Sequence, residues 1–412
     1  MNQHKFLEST NGLGIHVEIT SNCNSRCLDC GRYVKGSDTV NPYVDTGSKG
    51  NISIQAIRNI FDDEVCKTAR YVNFTGTYGD FTLHPQAIEI IETIANHRRK
   101  NNSQPLIFMA ETNGGIRDNE WWHNLAKSIK NNYDVKKSLV IFGIDGADNE
   151  THQMYRRGVD FDTVLRHAKI LIDNGIRCRW SFIAFDHNEH QIEEAKQISK
   201  EHGFTQFRIR RSRLRHNSRK IFNLEQKKKN ISDKELNPIS NMYKGVVEEV
   251  KDKGPSVWSK MPKRWYEKEI DPYVNETTIE CEWKKKNQIS IDYTGRVWQC
   301  CYFSNFYHYG ILPTNVPYVD KYDFNDETRK YERLDVYESR YKENWNNVNY
   351  HTLTEIVGHD FFTNDLEQSF GNDTEHKTHP RIVRCTKFCG SKARNNDKLL
   401  SKMNESKLNA IK

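Results

Sequence analysis

No stretch of this 412-residue chain approaches the roughly 20 apolar residues of a membrane span, so no spanning helix is expected. Residues 1–20 hold no apolar run of the kind a secretory signal requires, and a cytoplasmic location is the expectation. The chain also lacks a strong charge imbalance. Its net charge of +7 is mild for the length, and much of it sits in local runs: Arg208 to Arg219, Lys227 to Lys229 and Lys284 to Lys286. Such runs read first as solvated faces. An anionic partner such as RNA is the alternative, and charge alone does not choose between them. A disulfide framework is not the expectation either, because such scaffolds belong mostly to small secreted domains. With 36% hydrophobic and 28% charged residues, the chain reads as globular, with two or three domains at roughly 150 residues each.

What the chain does have is ten cysteines, read here as metal ligands in a reducing compartment. Cys23, Cys27 and Cys30 form one group, and Cys281, Cys300, Cys301, Cys385 and Cys389 a second. Cys66 and Cys178 stand alone and are expected to be buried as small hydrophobes. The first group has the spacing Cys-x3-Cys-x2-Cys on one short loop after the strand-like segment Gly14 to Thr20. A closed electron-transfer cluster takes four cysteines. Three thiolates on a four-iron cubane leave one iron open, and open coordination distinguishes a reactive metal site from a structural one. The competing reading is a zinc knuckle with a histidine such as His16 as fourth ligand.

Beyond that loop the first half alternates regularly. Strands are expected at 72–74, 106–110, 139–142, 180–185 and 207–210. Helices are expected at 85–94, 119–129, 161–172 and 189–202, from apolar residues at helical spacing, with Asn174-Gly175 and Gly203 as stops. This pattern implies a parallel sheet with right-handed crossovers. Six units are too few for a closed eight-unit barrel, so an α/β fold with a partial (β/α)6 TIM-like barrel is expected. Ligands gather at the carboxyl ends of such strands. The segments that follow the strands are polar and several carry glycine: Thr75 to Asp80, Glu111 to Gly115, Asp145 to Asp148 with Tyr155 to Gly158, and Asp186 to Asn188. Each alone reads as a turn; four in register beside a three-thiolate loop point to a site.

The cysteine spacing and these segments resemble radical S-adenosylmethionine (radical SAM) enzymes over about residues 14–212. The resemblance implies a 4Fe-4S cluster on Cys23, Cys27 and Cys30 that binds S-adenosyl-L-methionine at its open iron. It also implies reductive cleavage of that cofactor to a 5′-deoxyadenosyl radical, which abstracts hydrogen from an unactivated carbon. Gly79-Asp80 stands where the family has a Gly-Glu pair near the methionyl amino group. Thr112-Asn113-Gly114 is similar to the third-strand motif. Asp145 lies in Gly143-Ile144-Asp145-Gly146, which resembles a Ser-x-Asp-Gly motif with glycine in the serine place. Arg157 or Arg156 is implied as partner of the cofactor carboxylate, since arginine offers a bidentate fork, and Asn188 as a hydrogen-bonding group near the adenosine. Because the cofactor carries the hard step, no side-chain base or nucleophile is expected as primary catalyst.

In the second half, residues 213–275 read as a basic connection with a helix over 240–253. Ile289 to Trp298 reads as a β-hairpin turning at Tyr293 to Gly295, which would bring Cys281 and Cys300 together, with Cys385 and Cys389 able to add the remaining pair. Cys-x13-Gly-x4-Cys followed by Cys385-x3-Cys389 resembles the SPASM, or shortened twitch, extension. That implies one auxiliary 4Fe-4S cluster on Cys281, Cys300, Cys385 and Cys389; structural zinc on the same four is the alternative. Which of Cys300 and Cys301 ligates stays open, since neighbours on a strand face opposite ways.

The expected organisation is thus a radical SAM partial barrel over 1–212, the connection over 213–275, a small α+β auxiliary-cluster domain over 276–392 and a polar tail over 393–412. The extension implies a peptide or protein substrate, with a small molecule or nucleoside as the alternative. A flavodoxin- or ferredoxin-type electron donor is expected, and no membrane partner. Nucleic acid enters only with the competing class, a zinc-stapled binding module that uses the basic runs.

Overall fold

The computed structural model describes residues 6–27, 30–33, 38–42, 44–102, 104–185, 187–211, 277–301, 340–373, 376–382, 385 and 389–390. The helix expected over 240–253, the lysine run at 227–229 and the tail 393–412 lie outside the described residues.

Six strands run in chain order: β1 (Leu13–Val17), β2 (Ala69–Phe74), β3 (Ile107–Thr112), β4 (Leu139–Gly143), β5 (Arg177–Ala184) and β6 (Gln206–Arg211). Each pairs parallel with the next. The six-strand parallel half-barrel that the alternation implied is therefore present. β7 (Gln288–Ile291) and β8 (Val297–Trp298) form the expected antiparallel hairpin, whose turn uses Gly295 at φ +85°, a left-handed conformation that favours glycine. The hairpin does not stand apart from the barrel. β7 lies parallel to β1, with His16 opposite Ser290, and the sheet order is β6-β5-β4-β3-β2-β1-β7-β8. Ile289 and Ile291 of β7 are buried and join the same core as Ile15 and Val17, which accounts for the hairpin docking on that edge.

The crossover segments contain α1 (Ile54–Ile60), α2 (Asp63–Thr68), α3 (Ala87–Asn101), α4 (Asn119–Asn132), α5 (Asn149–Tyr155), α6 (Phe161–Asp173) and α7 (Ile192–Glu201). Aspartate recurs as the N-cap: Asp62, Asp118, Asp148 and Asp160 accept from the backbone N–H groups of Val65, Trp121, Thr151 and Thr163. Each satisfies a donor that the first helical turn leaves without a partner. The two-turn helices α1, α2 and α5 were not expected. They are too short to show an apolar period, although their caps Ser53, Asp62 and Asp148 are present in the sequence. Beyond α8 (Glu282–Lys285), α9 (Leu353–Val357) opens on a Thr352/Glu355 capping box and α10 (Leu366–Gly371) follows a π-turn.

Register divides the sheet into two faces. Ile15, Phe74, Phe108, Phe142 and Trp180 point one way, are fully buried, and pack with Ile91, Trp122 and Leu171 of α3, α4 and α6. Burying one such side chain is worth about 1.5–3 kcal/mol, so this outer face fixes the sheet. The residues between them face the lumen of the half-barrel and are largely polar or charged: His16, Asn73, Glu111, Arg179, Ser181, Arg208 and Arg210. Among the described residues, no helix is long and apolar enough to cross a membrane.

Candidate metal centre

The cysteine loop leaves the carboxyl end of β1 and is held from several sides. Thr20 Oγ1 donates to Asn51 Oδ1 (2.6 Å), the Asn22 amide donates to the Gly47 carbonyl (2.9 Å), and the Arg32 guanidinium donates to the Ser21 carbonyl. Tyr33 Oη donates to the Ser25 carbonyl (3.1 Å), and Cys30 N–H to the Cys27 carbonyl (3.2 Å). Each sulfur meets a polar group. Asn113 Nδ2 lies 3.7 Å from Cys23 Sγ, Ser25 Oγ 3.1 Å and Arg156 Nη1 3.9 Å from Cys27 Sγ, and Arg32 N–H 3.5 Å from Cys30 Sγ. Burial pushes the Cys23 thiol up, helped by the charges of Asp80 and the other two cysteines. Burial and Cys27 push Cys30 up to about 12. Cys23 and Cys30 are thus held toward the neutral thiol, and loading the loop with metal would release their protons.

Asp80, expected at the cofactor amino group, sits at the centre of a hydrogen-bond hub. Its carboxylate accepts from Thr82 N and Oγ1 (3.1 and 2.7 Å), from Thr112 Oγ1 (2.9 Å) and from Asn113 N (2.6 Å). Burial raises its carboxyl against the pull of these donors. Thr112 is thereby tied to Asp80. The Asn113 side chain spans Cys23, Asn24 Oδ1 (2.9 Å) and Gly115 N (2.8 Å). Gly79 is pressed against the backbone of Thr20 and Ser21, where a Cβ would collide with the Thr20 carbonyl. Glu18 caps the same corner by accepting from Tyr78 N and Gly79 N (2.5 and 3.0 Å).

On the other side of the loop, Asp145 is fully buried. It accepts from Ile183 N (2.6 Å) and from Arg156 Nε (2.7 Å). Burial opposes the Arg156 charge, yet Asp145 beside it outweighs this and raises the guanidinium. Of the two arginines implied by the resemblance, Arg156 reaches Cys27. The backbone carbonyl of Arg157 accepts from Arg26 N (2.9 Å) and so anchors the cysteine loop. A Cβ at Gly143 would come within 2.6 Å of Arg156 Nη2. Asn188 is wholly buried. Its Oδ1 accepts from Phe185 N (2.7 Å) and its Nδ2 donates to the Asp145 and Ile183 carbonyls (3.0 Å each), fastening the turn after β5. Tyr155 and Phe185 form a small apolar cluster against which Cys27 packs.

At the second group, Cys281 and Cys389 share a hydrogen bond, with Cys385 close enough to act on Cys281 by its charge. The shared bond holds Cys389 down, while the same bond and burial raise Cys281. Glu280 N donates to the Cys389 carbonyl (2.8 Å), and Ile279 bridges Gly390. Cys300 and Cys385 both pack on the main core. Cys66 and Cys178 are buried, as expected. His16 is engaged elsewhere: its ring nitrogens meet Tyr71 Oη (3.1 Å) and Asn73 Nδ2 (3.2 Å), so it does not serve the N-terminal thiols. Among the described residues, no three His, Cys, Asp or Glu side chains form a group able to hold a single metal ion. A cubane needs no such convergence, because its irons occupy separate corners, and donors aimed at each sulfur suit thiolates that carry charge.

Residues 17–197 match the family model described as the radical SAM superfamily. The chain carries a radical SAM domain. No curated protein matches it. Among solved structures it is similar to native anSMEcpe with bound AdoMet and Cp18Cys peptide, at 16% identity over 92% of this chain and 88% of that one, with a TM-score of 0.46. It is also similar to Streptococcus suis SuiB bound to precursor peptide SuiA, at 12% identity over 91% and 76% and a TM-score of 0.43. Methylornithine synthase (PylB) follows at 10% identity over 52% and 58%, with a TM-score of 0.34. At these scores none of the three bears on individual residues.

The radical SAM domain thus gathers its sequence-expected residues at one end of the sheet in two sets. Cys23, Gly79, Asp80, Thr112 and Asn113 form one, and Cys27, Cys30, Asp145, Arg156 and Asn188 the other, while Arg157 meets the cysteine loop through its backbone carbonyl. Glu18 and Asn24 were not expected. Glu18 gave a faint signal as a carboxylate directly after an apolar strand; Asn24 gave none.

Proposed function

We propose that this chain is a radical SAM enzyme that cleaves S-adenosyl-L-methionine reductively and uses the resulting radical to modify a peptide or protein side chain. The observation that carries this reading is the triad of Cys23, Cys27 and Cys30 on one pinned loop, each sulfur facing a polar group, inside a radical SAM domain. When bound, the 4Fe-4S cluster and the sulfonium nucleotide supply the electron and the carbon radical. The protein's own part is to hold and orient. Cys23, Cys27 and Cys30 ligate as thiolates. Arg156, fixed at Nε by Asp145 and at Nη1 by Cys27, leaves Nη2 for the cofactor carboxylate. Asp80 keeps the Thr112-Asn113 turn in position rather than moving a proton, and Asn188 holds the adenosine side of the rim through the turn after β5. The apolar pair Tyr155 and Phe185 excludes water beside Cys27.

Cys281, Cys300, Cys385 and Cys389 would hold one auxiliary 4Fe-4S cluster. The hydrogen-bonded Cys281–Cys389 pair and neighbouring Cys385 support this. A peptide substrate follows from the resemblance of this cysteine pattern to the SPASM or twitch extension. A flavodoxin- or ferredoxin-type donor would supply the electron. Anaerobically reconstituted protein reduced with dithionite should form 5′-deoxyadenosine from S-adenosyl-L-methionine. A Cys27→Ala variant should form none while keeping its C-terminal iron, about four of some eight irons. Cleavage at the wild-type rate in Cys27→Ala would overturn the assignment.

A further inference from the structure

The lumen face near the open end of the half-barrel carries an excess of guanidinium groups that the proposed chemistry leaves unused. Arg179 on β5 and Arg208 and Arg210 on β6 share that face, because Arg179 pairs with Gln206, Ser181 with Arg208 and Ile183 with Arg210. Glu111 on β3 is the carboxylate that meets them, 3.8 Å from Arg210, and both of these side chains stay about 40% exposed. Arg179 donates through Nε to Gln206 Oε1 (2.7 Å). Burial lowers its guanidinium, and the charges of Arg208 and Arg210 lower it further. Arg208 is exposed. The patch adjoins the candidate metal centre, since Arg210 pairs with Ile183, whose N–H donates to buried Asp145 (2.6 Å).

Two further features say what such a patch fits. Among the described residues β6 is the edge of the sheet, and an edge strand is a template for another extended chain. On its opposite face Ile209 is 44% exposed, one of only two large hydrophobic residues so exposed among the described residues. Arg208 and Arg210 are two residues apart, so they repeat at the side-chain period of a strand. A partner strand that alternates acidic and apolar residues would meet both arginines on the lumen side and cover Ile209 on the other. Arginine's planar fork suits carboxylates, and pairing along a strand edge is a peptide's property rather than a nucleic acid's.

We infer that β6 binds the substrate as an added strand, with carboxylates of an alternating acidic–apolar segment engaging Arg179, Arg208 and Arg210. This rests on the peptide reading above and specifies the peptide's class. It is tested with the full-length reconstituted protein by fluorescence anisotropy. The probes are a fluorescein-labelled peptide alternating glutamate and valine, its glutamine–valine counterpart, and labelled oligouridylate. The glutamate peptide should bind about tenfold more tightly than the glutamine peptide, the sum of a few partly exposed ion pairs. Arg208→Gln should weaken it about threefold to fivefold, and Glu111→Gln, which removes the competing carboxylate, should tighten it. Equal affinity for the two peptides, an unchanged Arg208→Gln, or tighter binding of oligouridylate would each overturn the proposal. The peptide comparison uses the wild-type protein, so a misfolded variant cannot obscure it. Cofactor cleavage measured on the same preparation reports separately on the reading beneath it.

Discussion

Asp80 shows how a residue can sit in a motif and act through its neighbours. Its carboxylate is the common acceptor for Thr82, Thr112 and Asn113, so Asp80→Ala leaves several buried donors without an acceptor. At about 1–3 kcal/mol for a buried unsatisfied group, the variant should lose at least about 3 kcal/mol, read from its denaturant midpoint. A near-wild-type midpoint would mean that the hub is not formed. His152 gives a pH signature in the same loops. It is fully buried and accepts at Nδ1 from Asp145 N (3.2 Å), and burial drives its imidazole down to about 3. An unfolded imidazole titrates near 6.5. Between those values the unfolded chain binds the extra proton, so the contribution is full above pH 6.5 and is lost as pH falls toward 3. The slope is up to about 1.4 kcal/mol per pH unit. Urea midpoints at pH 7.5 and 5.5 should therefore differ more for the wild type than for His152→Gln, and equal pH dependence would contradict this. The candidate residues themselves were legible because cysteine spacing and polar segments after strands are local signals. That Asp80 also holds Thr112 and Asn113, and Asn188 the Asp145 carbonyl, was not, since those partners come from other loops.

At the level of elements, β1 to β5 were legible as short strand-like runs, β6 as an alternation of apolar and charged residues, and α3, α4, α6 and α7 as helical segments, the last two with stops at Asn174-Gly175 and Gly203. α1, α2 and α5 escaped because two turns are too few for a period and α5, Asn149–Tyr155, is mostly polar. The hairpin was read correctly as a hairpin, but its docking on β1 was hidden. Pairing His16 with Ser290 joins segments far apart in the chain, and no local pattern encodes a partner. Its consequence is testable. Glu18 N donates to the Ile291 carbonyl (2.9 Å) and Gly14 N to the Asn287 carbonyl (2.9 Å). Ser290→Pro places a residue without an N–H inside β7, between two neighbours. Hydrogen exchange at Gly14 and Glu18 should then accelerate, while amides in β4 keep their protection. Unchanged exchange at Glu18 would show that β7 does not close this edge.

Across the whole molecule, one sheet carries both features on which the function turns. Its outer face is a continuous apolar core with the helices. Its carboxyl edge supports the cysteine loop, and β7 ties the segment that follows Cys281 to the strand that launches that loop. The central claim is that Cys23, Cys27 and Cys30 hold a four-iron cluster whose remaining iron accepts S-adenosyl-L-methionine. Electron paramagnetic resonance of the anaerobically reduced protein tests this most directly, recorded before and after the cofactor is added. The wild type should show a cluster signal that shifts on addition, with both the signal and its shift lost in Cys27→Ala apart from any C-terminal contribution. A spectrum indifferent to the cofactor, or a protein that takes up zinc and no iron at these thiols, would contradict it.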